Sequence, residues 1–365
     1  MIAAKSATSP VRIDSRENAF GFLRLLFAAM VLYSHVWFLA GPTKEPYASW
    51  LFHDAEFPGG IGVKGFFVLS GFLVMRSERR LAGPRAFLWC RGLRIYPALW
   101  LCLVVTGLGF PWVEQLVRTS TVIDWSDATR YVGSNWFQPR TQPGIRGLLT
   151  HAYYGGDLNG SLWTLPYEMG CYAILAFVGG LGLTRGSARG AWIAGAALLT
   201  LYAHDVARPL AALFFKSDGR NLGVWFVLGA LAALLDASTL RRWLSPTVVT
   251  VLALAWVASW RLGGHQFVGP VAIGALVLWA SWALPIRALE ERIGGDYSYG
   301  LYIYSYPVTQ MLVEFGAGAL GLGWLFVLSL VITFAFAVAS WHLIERRALR
   351  MKSIFARPIP NLSAA

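Results

Sequence analysis

The sequence predicts an all-α fold: a polytopic membrane helix bundle of about ten transmembrane helices with both termini cytoplasmic. Three observations predict it. Hydrophobic residues make up 56% of the 365 and charged residues only 14%, against about a quarter charged in a soluble domain. The apolar residues gather into runs near the ~20 residues needed to cross a hydrocarbon core. The basic residues concentrate on alternate connections between those runs, the asymmetry that orients a membrane protein.

The same numbers exclude other classes. A mean hydropathy of +0.52 and 17 Trp, 14 Tyr and 22 Phe are incompatible with a disordered chain. A net charge of +12 would point to nucleic acid in a soluble protein, but here the placement of the charges decides. Cys90, Cys102 and Cys171 are too few and too scattered for a disulfide framework, and no CxxC suggests zinc.

Taken in order, residues 1–18 form a polar N-terminal segment on the cytoplasmic side. The first apolar run, 19–40, contains Arg24 and is longer than a signal-peptide core, so it reads as the first span. The further spans are 57–75, 95–113, 161–182, 190–204, 221–236, 246–260, 267–284, 298–316 and 322–343, the fifth and seventh being short. Together they make a membrane domain over 19–343, followed by a cytoplasmic tail at 344–365. With both termini inside, twenty of the 31 Lys and Arg fall on inner segments and nine on outer loops, leaving Arg24 and Lys64 within spans. The one sizeable soluble piece is an outer loop over about 114–160, rich in Gly, Asn, Trp and Tyr, which reads equally as a lid, a sugar-contacting surface or a plain connector.

Charges inside spans are expensive and mark polar paths. Arg24 and His35 lie eleven residues apart on one helix, hence on one side and roughly 16 Å apart along the axis. Lys64, Glu168 and His35 all fall roughly 8–11 Å below the outer surface when counted from the expected span ends. A His and a Glu at one depth suggest a general-base pair in a polar pocket. Simpler readings stay open. His35 could bond a neighbouring helix, Lys64 could snorkel to the interface, and Glu168 could lie among headgroups. On the inner side Arg76, Arg79, Arg80, Arg85, Arg91 and Arg94 cluster. Most of them suit lipid anchoring, but Arg91 and Arg94 share a helix face and suit phosphate.

Several segments carry a resemblance. FLRLLFAAMVLYSH spaces Arg24 and His35 by ten residues; GVKGFFVLSGFLVMR covers 62–76 and RGLRIYPALW covers 91–100. NGSLWTLPYEMGCY covers 159–172, YSYGLYIYSYPV covers 297–308 and IERR covers 344–347. In this order they resemble the acyltransferase-3 family of integral-membrane acyltransferases. The resemblance implies a ten-helix enzyme of the bacterial cytoplasmic (inner) membrane. It would move an acyl group, usually acetyl, from cytosolic acyl-CoA to a hydroxyl of an envelope or exported carbohydrate, with no metal and no nucleic acid involved.

It implies His35 as the catalytic histidine with Arg24 as its motif partner, Arg91 and Arg94 as donor-binding residues, and Glu168 as part of the acceptor pocket. Lys64, Ser70, Trp163, Tyr167 and Ser305 are the candidate substrate contacts within the motifs. Two positions depart from the family pattern. Ser305 stands where a histidine is common, and Lys64 stands where an acidic or neutral residue is common. With about twenty residues after the last span, no appended soluble esterase-like domain is expected.

The expected chemistry places the phosphates of acyl-CoA (acetyl-CoA as co-substrate) on Arg91 and Arg94. The pantetheine arm passes Arg24, and His35 deprotonates the acceptor hydroxyl with help from Glu168. An acyl-histidine intermediate remains a variant. The rival reading is a multi-pass transporter or flippase for a glycan or lipid, which gives no reason for an Arg-x-x-Arg at the inner face.

Overall fold

A computed structural model of the chain describes residues 18–41, 56–81, 83–119, 121–137, 141–184, 195, 217–284 and 294–355. The expected fifth span, 190–204, lies outside the described residues except for residue 195. So do residues 1–17 and 356–365. The described residues are helical at the other nine expected positions.

α1 runs over Phe20–Leu39. α2, Pro58–Arg80, opens on Pro58, whose missing N–H costs nothing at a first turn. It closes on Arg79 and Arg80, cations that suit the negative end of the helix. α3 is one 34-residue helix, Pro84–Val117, interrupted by a π turn at Val105–Gly109. α4, Trp125–Asn135, is capped by Asp124, which accepts from the Asp127 N–H. A 3-10 turn at Gly160–Thr164 leads into α5, Leu165–Gly180. α6 is Ser217–Ala232 and α7 is Ala237–Trp243. α8 is Pro246–Leu262, capped by Ser245, and α9 is His265–Ala283. α10 is Ser298–Glu314. α11 spans Leu322–Ile354, 33 residues with a π turn at Trp341–Glu345.

Among the described residues four helices, α1, α2, α3 and α11, are long and apolar enough to cross a membrane. The apolar part of α6, Leu222–Ala232, and α7 form a pair bent by 119° that together pass the same test. The chain is therefore a multi-pass membrane protein whose described elements are all helical. α10, at 17 residues, is short, but it is the core of the bundle. Every residue from Leu301 to Met311 is buried, so its Ser305, Thr309 and Gln310 meet protein rather than lipid.

Packing at the centre depends on missing side chains. α2 and α6 approach so closely that a Cβ on Gly71 would strike the Phe226 carbonyl, and one on Gly229 would strike the Val68 carbonyl. α1 lies against the opposite side of α2. There the Gly59 N–H donates to Ser34 Oγ at 2.9 Å. α1 and α10 run parallel, from Arg24 beside Asp296, at the end that the charge bias predicts to face the cytoplasm and that is called inner below, to His35 beside Ser305 further out.

The structure adds to or departs from the sequence expectations in four places. The third span is placed at 95–113, yet α3 begins at Pro84. Its 34 residues rise about 51 Å, well beyond a ~30 Å hydrocarbon core. Hydropathy sees only the apolar slab, so Arg91 and Arg94 are residues inside a helix that projects inward, not at its start. The expected tail at 344–365 likewise begins as helix, because α11 continues to Ile354. The outer loop is not a plain connector. It carries α4 and is clamped to the outer ends of α3 and α10. Leu149 N–H donates to Glu114 at 3.3 Å, and His151 N–H donates to Glu314 at 2.8 Å. Arg118 and the His151 ring both meet the same buried Glu314 carboxylate. The fourth concerns depth. The Gly160–Thr164 turn dips into the bundle, with Ser161, Leu162 and Thr164 buried, so α5 starts deeper than hydropathy places it.

Candidate active site

The inner projections of α3 and α11 enclose, with α1, α2, α5 and α10, a cavity of about 320 Å³. Its polar lining is Arg24, Ser70, Arg91, Arg94, Glu168, Tyr172, Asp296, Ser298, Tyr299, Tyr302 and Lys352, with Thr164 at the start of α5. Five of the residues named from sequence, Arg24, Ser70, Arg91, Arg94 and Glu168, thus meet around one space.

The charges within it form a chain. Arg24 Nη1 lies 3.2 Å from Asp296 Oδ2, and Arg94 Nη2 lies 2.7 Å from the same oxygen. Arg94 Nη1 also approaches Glu345 Oε2 at 3.8 Å, while the other Glu345 oxygen accepts from Ser340 at 2.8 Å. Desolvation pushes the Asp296 carboxyl up, but Arg94 and then Arg24 outweigh it and hold it at about 2. Arg91 differs. Its Nη2 donates to Ser77 Oγ at 3.3 Å, and its guanidinium sits 6.0 Å from the Phe87 ring centre. Glu168 accepts from the Tyr172 hydroxyl and, at 3.4 Å, from Ser70.

His35 does not line this cavity. Its Nδ1 lies 3.1 Å from Ser305 Oγ, and its ring meets Tyr306 edge-on with centres 5.0 Å apart. The Ser305 hydroxyl donates to the Tyr302 carbonyl at 2.9 Å. With that proton committed, Ser305 oxygen accepts from His35 Nδ1–H, which leaves Nε2 as the basic nitrogen. Ser161 Oγ stands 3.4 Å from Ser305 Oγ. Asn159, on the buried turn, donates to the Ile303 carbonyl at 2.9 Å and so fixes this part of the loop to α10.

The expected His35–Glu168 pair does not form. Because the 160–164 turn dips inward, Ser161 stands at the level of His35. Glu168 lies seven residues further in, roughly 10 Å along the chain. Lys64 also leaves the expected pocket. It pairs with buried Glu56 and lies over the Trp225 ring at 5.4 Å, on the α6 side of α2. Trp163 and Tyr167 pack on each other edge-on at 5.9 Å, away from the cavity. Sequence reasoning missed Asp296, Glu345 and Lys352. The available signals were an acid immediately before the YSYG segment and an acid within IERR. Among the described residues no cluster of His, Cys, Asp or Glu could hold a metal ion.

The geometry therefore joins a cationic inner cavity to a histidine further out on one pair of parallel helices. The profile of a family described as an acyltransferase domain matches residues 17–342. An O-acetyl transferase of Shigella phage Sf6 is 32% identical over 354 residues, 93% of this chain and 98% of that one. Nodulation protein 10 of Rhizobium leguminosarum bv. viciae is 31% identical over 381 residues, 94% of this chain and 96% of that one. The exopolysaccharide production protein ExoZ of Rhizobium meliloti (strain 1021) is 27% identical over 328 residues, 82% of this chain and 94% of that one. No solved structure matches the chain. A profile match across almost the whole chain, with relatives aligned end to end, leaves one conclusion: the chain belongs to the acyltransferase-3 family of integral-membrane acyltransferases and is an acyltransferase that transfers groups other than amino-acyl groups.

Proposed function

We propose that the protein is a bacterial inner-membrane O-acyltransferase that moves an acetyl group from cytosolic acetyl-CoA to a hydroxyl of an envelope or exported carbohydrate. One observation carries this reading. Along α1 and α10, a cation-lined cavity at the inner end is followed outward by a histidine whose basic nitrogen is set by Ser305. The arrangement suits an anionic donor entering from inside and a hydroxyl acceptor arriving from outside. The name of the phage relative supports acetyl as the group, and the exopolysaccharide relative supports a carbohydrate acceptor.

In the proposed step the thioester enters the cavity past Arg24, with Glu168 as the acceptor for an amide N–H of the pantetheine arm. His35 Nε2 removes the proton from the acceptor hydroxyl. The oxygen attacks the thioester carbonyl, the C–S bond breaks, and the imidazolium returns the proton to the departing sulfur. Replacing His35 with Ala removes a general base, so transfer should fall by about 10²–10⁴-fold. The assay is acetyl transfer from labelled acetyl-CoA in membranes, with protein abundance checked in parallel. Retained transfer overturns the scheme. Mass spectrometry of envelope glycans with and without the gene then identifies the acceptor by a lost acetyl increment.

A further inference from the structure

The four cations that line the cavity are not equivalent. Arg24 and Arg94 share Asp296, and Arg94 also faces Glu345. Among the described residues, neither Arg91 nor Lys352 has a carboxylate at ion-pair distance. Arg91 donates to the neutral Ser77 hydroxyl, and its Nε is buried with no acceptor. The cavity thus holds two cations with unused donors at its inner end, while the second arginine of the Arg-x-x-Arg pair is largely satisfied by protein.

Lys352 is held in place rather than trailing in a loose tail. The Trp89 indole donates to the carbonyl of the adjacent Met351 at 3.2 Å. Trp89 also meets the Phe355 ring edge-on at 5.2 Å. These contacts fix the end of α11 onto the inner part of α3, where Leu349 and Lys352 complete the cavity wall. This segment lies beyond residue 342, where the family match ends.

We infer that Lys352 and Arg91 together form the phosphate-binding rim of the cavity, and that Arg94 is a positioning residue locked by Asp296 and Glu345. The inference rests on the reading of the donor as acyl-CoA. A planar guanidinium and a compact ammonium on one rim suit the phosphate oxygens of a nucleotide-bearing thioester, each oxygen accepting charge-assisted hydrogen bonds. A lipid headgroup carries the same phosphate chemistry, and the inner mouth of a membrane protein can meet either.

The test uses the full-length protein in nanodiscs of zwitterionic lipid, with desulfo-CoA as a non-reactive probe. Lys352→Ala should weaken desulfo-CoA binding about tenfold, the loss of one charge-assisted contact, while Lys352→Arg stays within about threefold. In the acetyl-transfer assay Lys352→Ala should raise KM for acetyl-CoA and leave kcat unchanged. Unaltered desulfo-CoA affinity in Lys352→Ala, beside normal binding by the unmodified protein, overturns the inference alone. Failure of the unmodified protein to bind desulfo-CoA overturns the donor reading and the inference with it. A second arm uses discs containing phosphatidylglycerol and native mass spectrometry to count retained lipid. Loss of that lipid in Lys352→Ala with desulfo-CoA affinity intact assigns the rim to headgroups and overturns the inference.

Discussion

Ser305 shows how much a single hydroxyl can set. It accepts from His35 while its own proton is tied to the Tyr302 carbonyl, so it fixes which imidazole nitrogen is basic. Ser305→Ala removes one neutral hydrogen bond, worth about 0.5–1.5 kcal/mol net. The expected outcome is a fall in kcat of up to about tenfold, with KM for acetyl-CoA unchanged and protein abundance normal. A steady-state comparison of the two parameters checks it. An unchanged kcat would mean that the tautomer is set elsewhere. At this scale the sequence was informative about charge and poor about partners. Arg24, Arg91, Arg94 and Glu168 stand out because ionisable groups within or beside apolar runs are rare, and they do converge. Asp296 does not stand out, since an acid in a connecting segment is ordinary. It acquires meaning only when the start of α10 docks between Arg24 and Arg94.

The helices were legible as elements because a membrane helix is written in composition. Their ends and tilts were not. Hydropathy marks the apolar slab, so it truncates α3 by eleven residues at its inner end and misses the last turns of α11. It also reads the 160–164 turn as the top of a span, although a buried turn held by Asn159 places it inside the bundle. The close crossing of α2 and α6 was equally invisible, since a glycine in an apolar run has no periodic signature. That crossing yields a prediction at its own scale. Gly229→Val puts a branched side chain against the Val68 carbonyl, and neither backbone can yield without separating the helices. Overpacking of this kind typically costs about 1–3 kcal/mol, and here backbone is the obstacle. The variant should show a lowered thermal midpoint and reduced yield in detergent, whereas Gly223→Val on the same helix, where a Cβ meets open space, should leave both near normal.

Across the whole molecule, the candidate site groups are distributed along the bundle axis instead of gathered at one end. The inner cavity reaches Tyr302, and the His35–Ser305 contact begins one helical turn further out. Between them the Tyr302 hydroxyl meets Thr164 Oγ at 2.8 Å, and its ring packs edge-on against Phe66 at 5.7 Å. A passage wetted from both faces would leak protons, so these contacts at the end of the cavity are expected to keep the two sides apart. Tyr302→Ala should make proteoliposomes conduct protons or small cations, detectable with a pH-sensitive dye trapped inside, where the unmodified protein keeps them tight. On the proposed reading an acetyl group has to pass the level of Tyr302 while the far smaller proton does not, which sets a demand on that side chain beyond holding the bundle together.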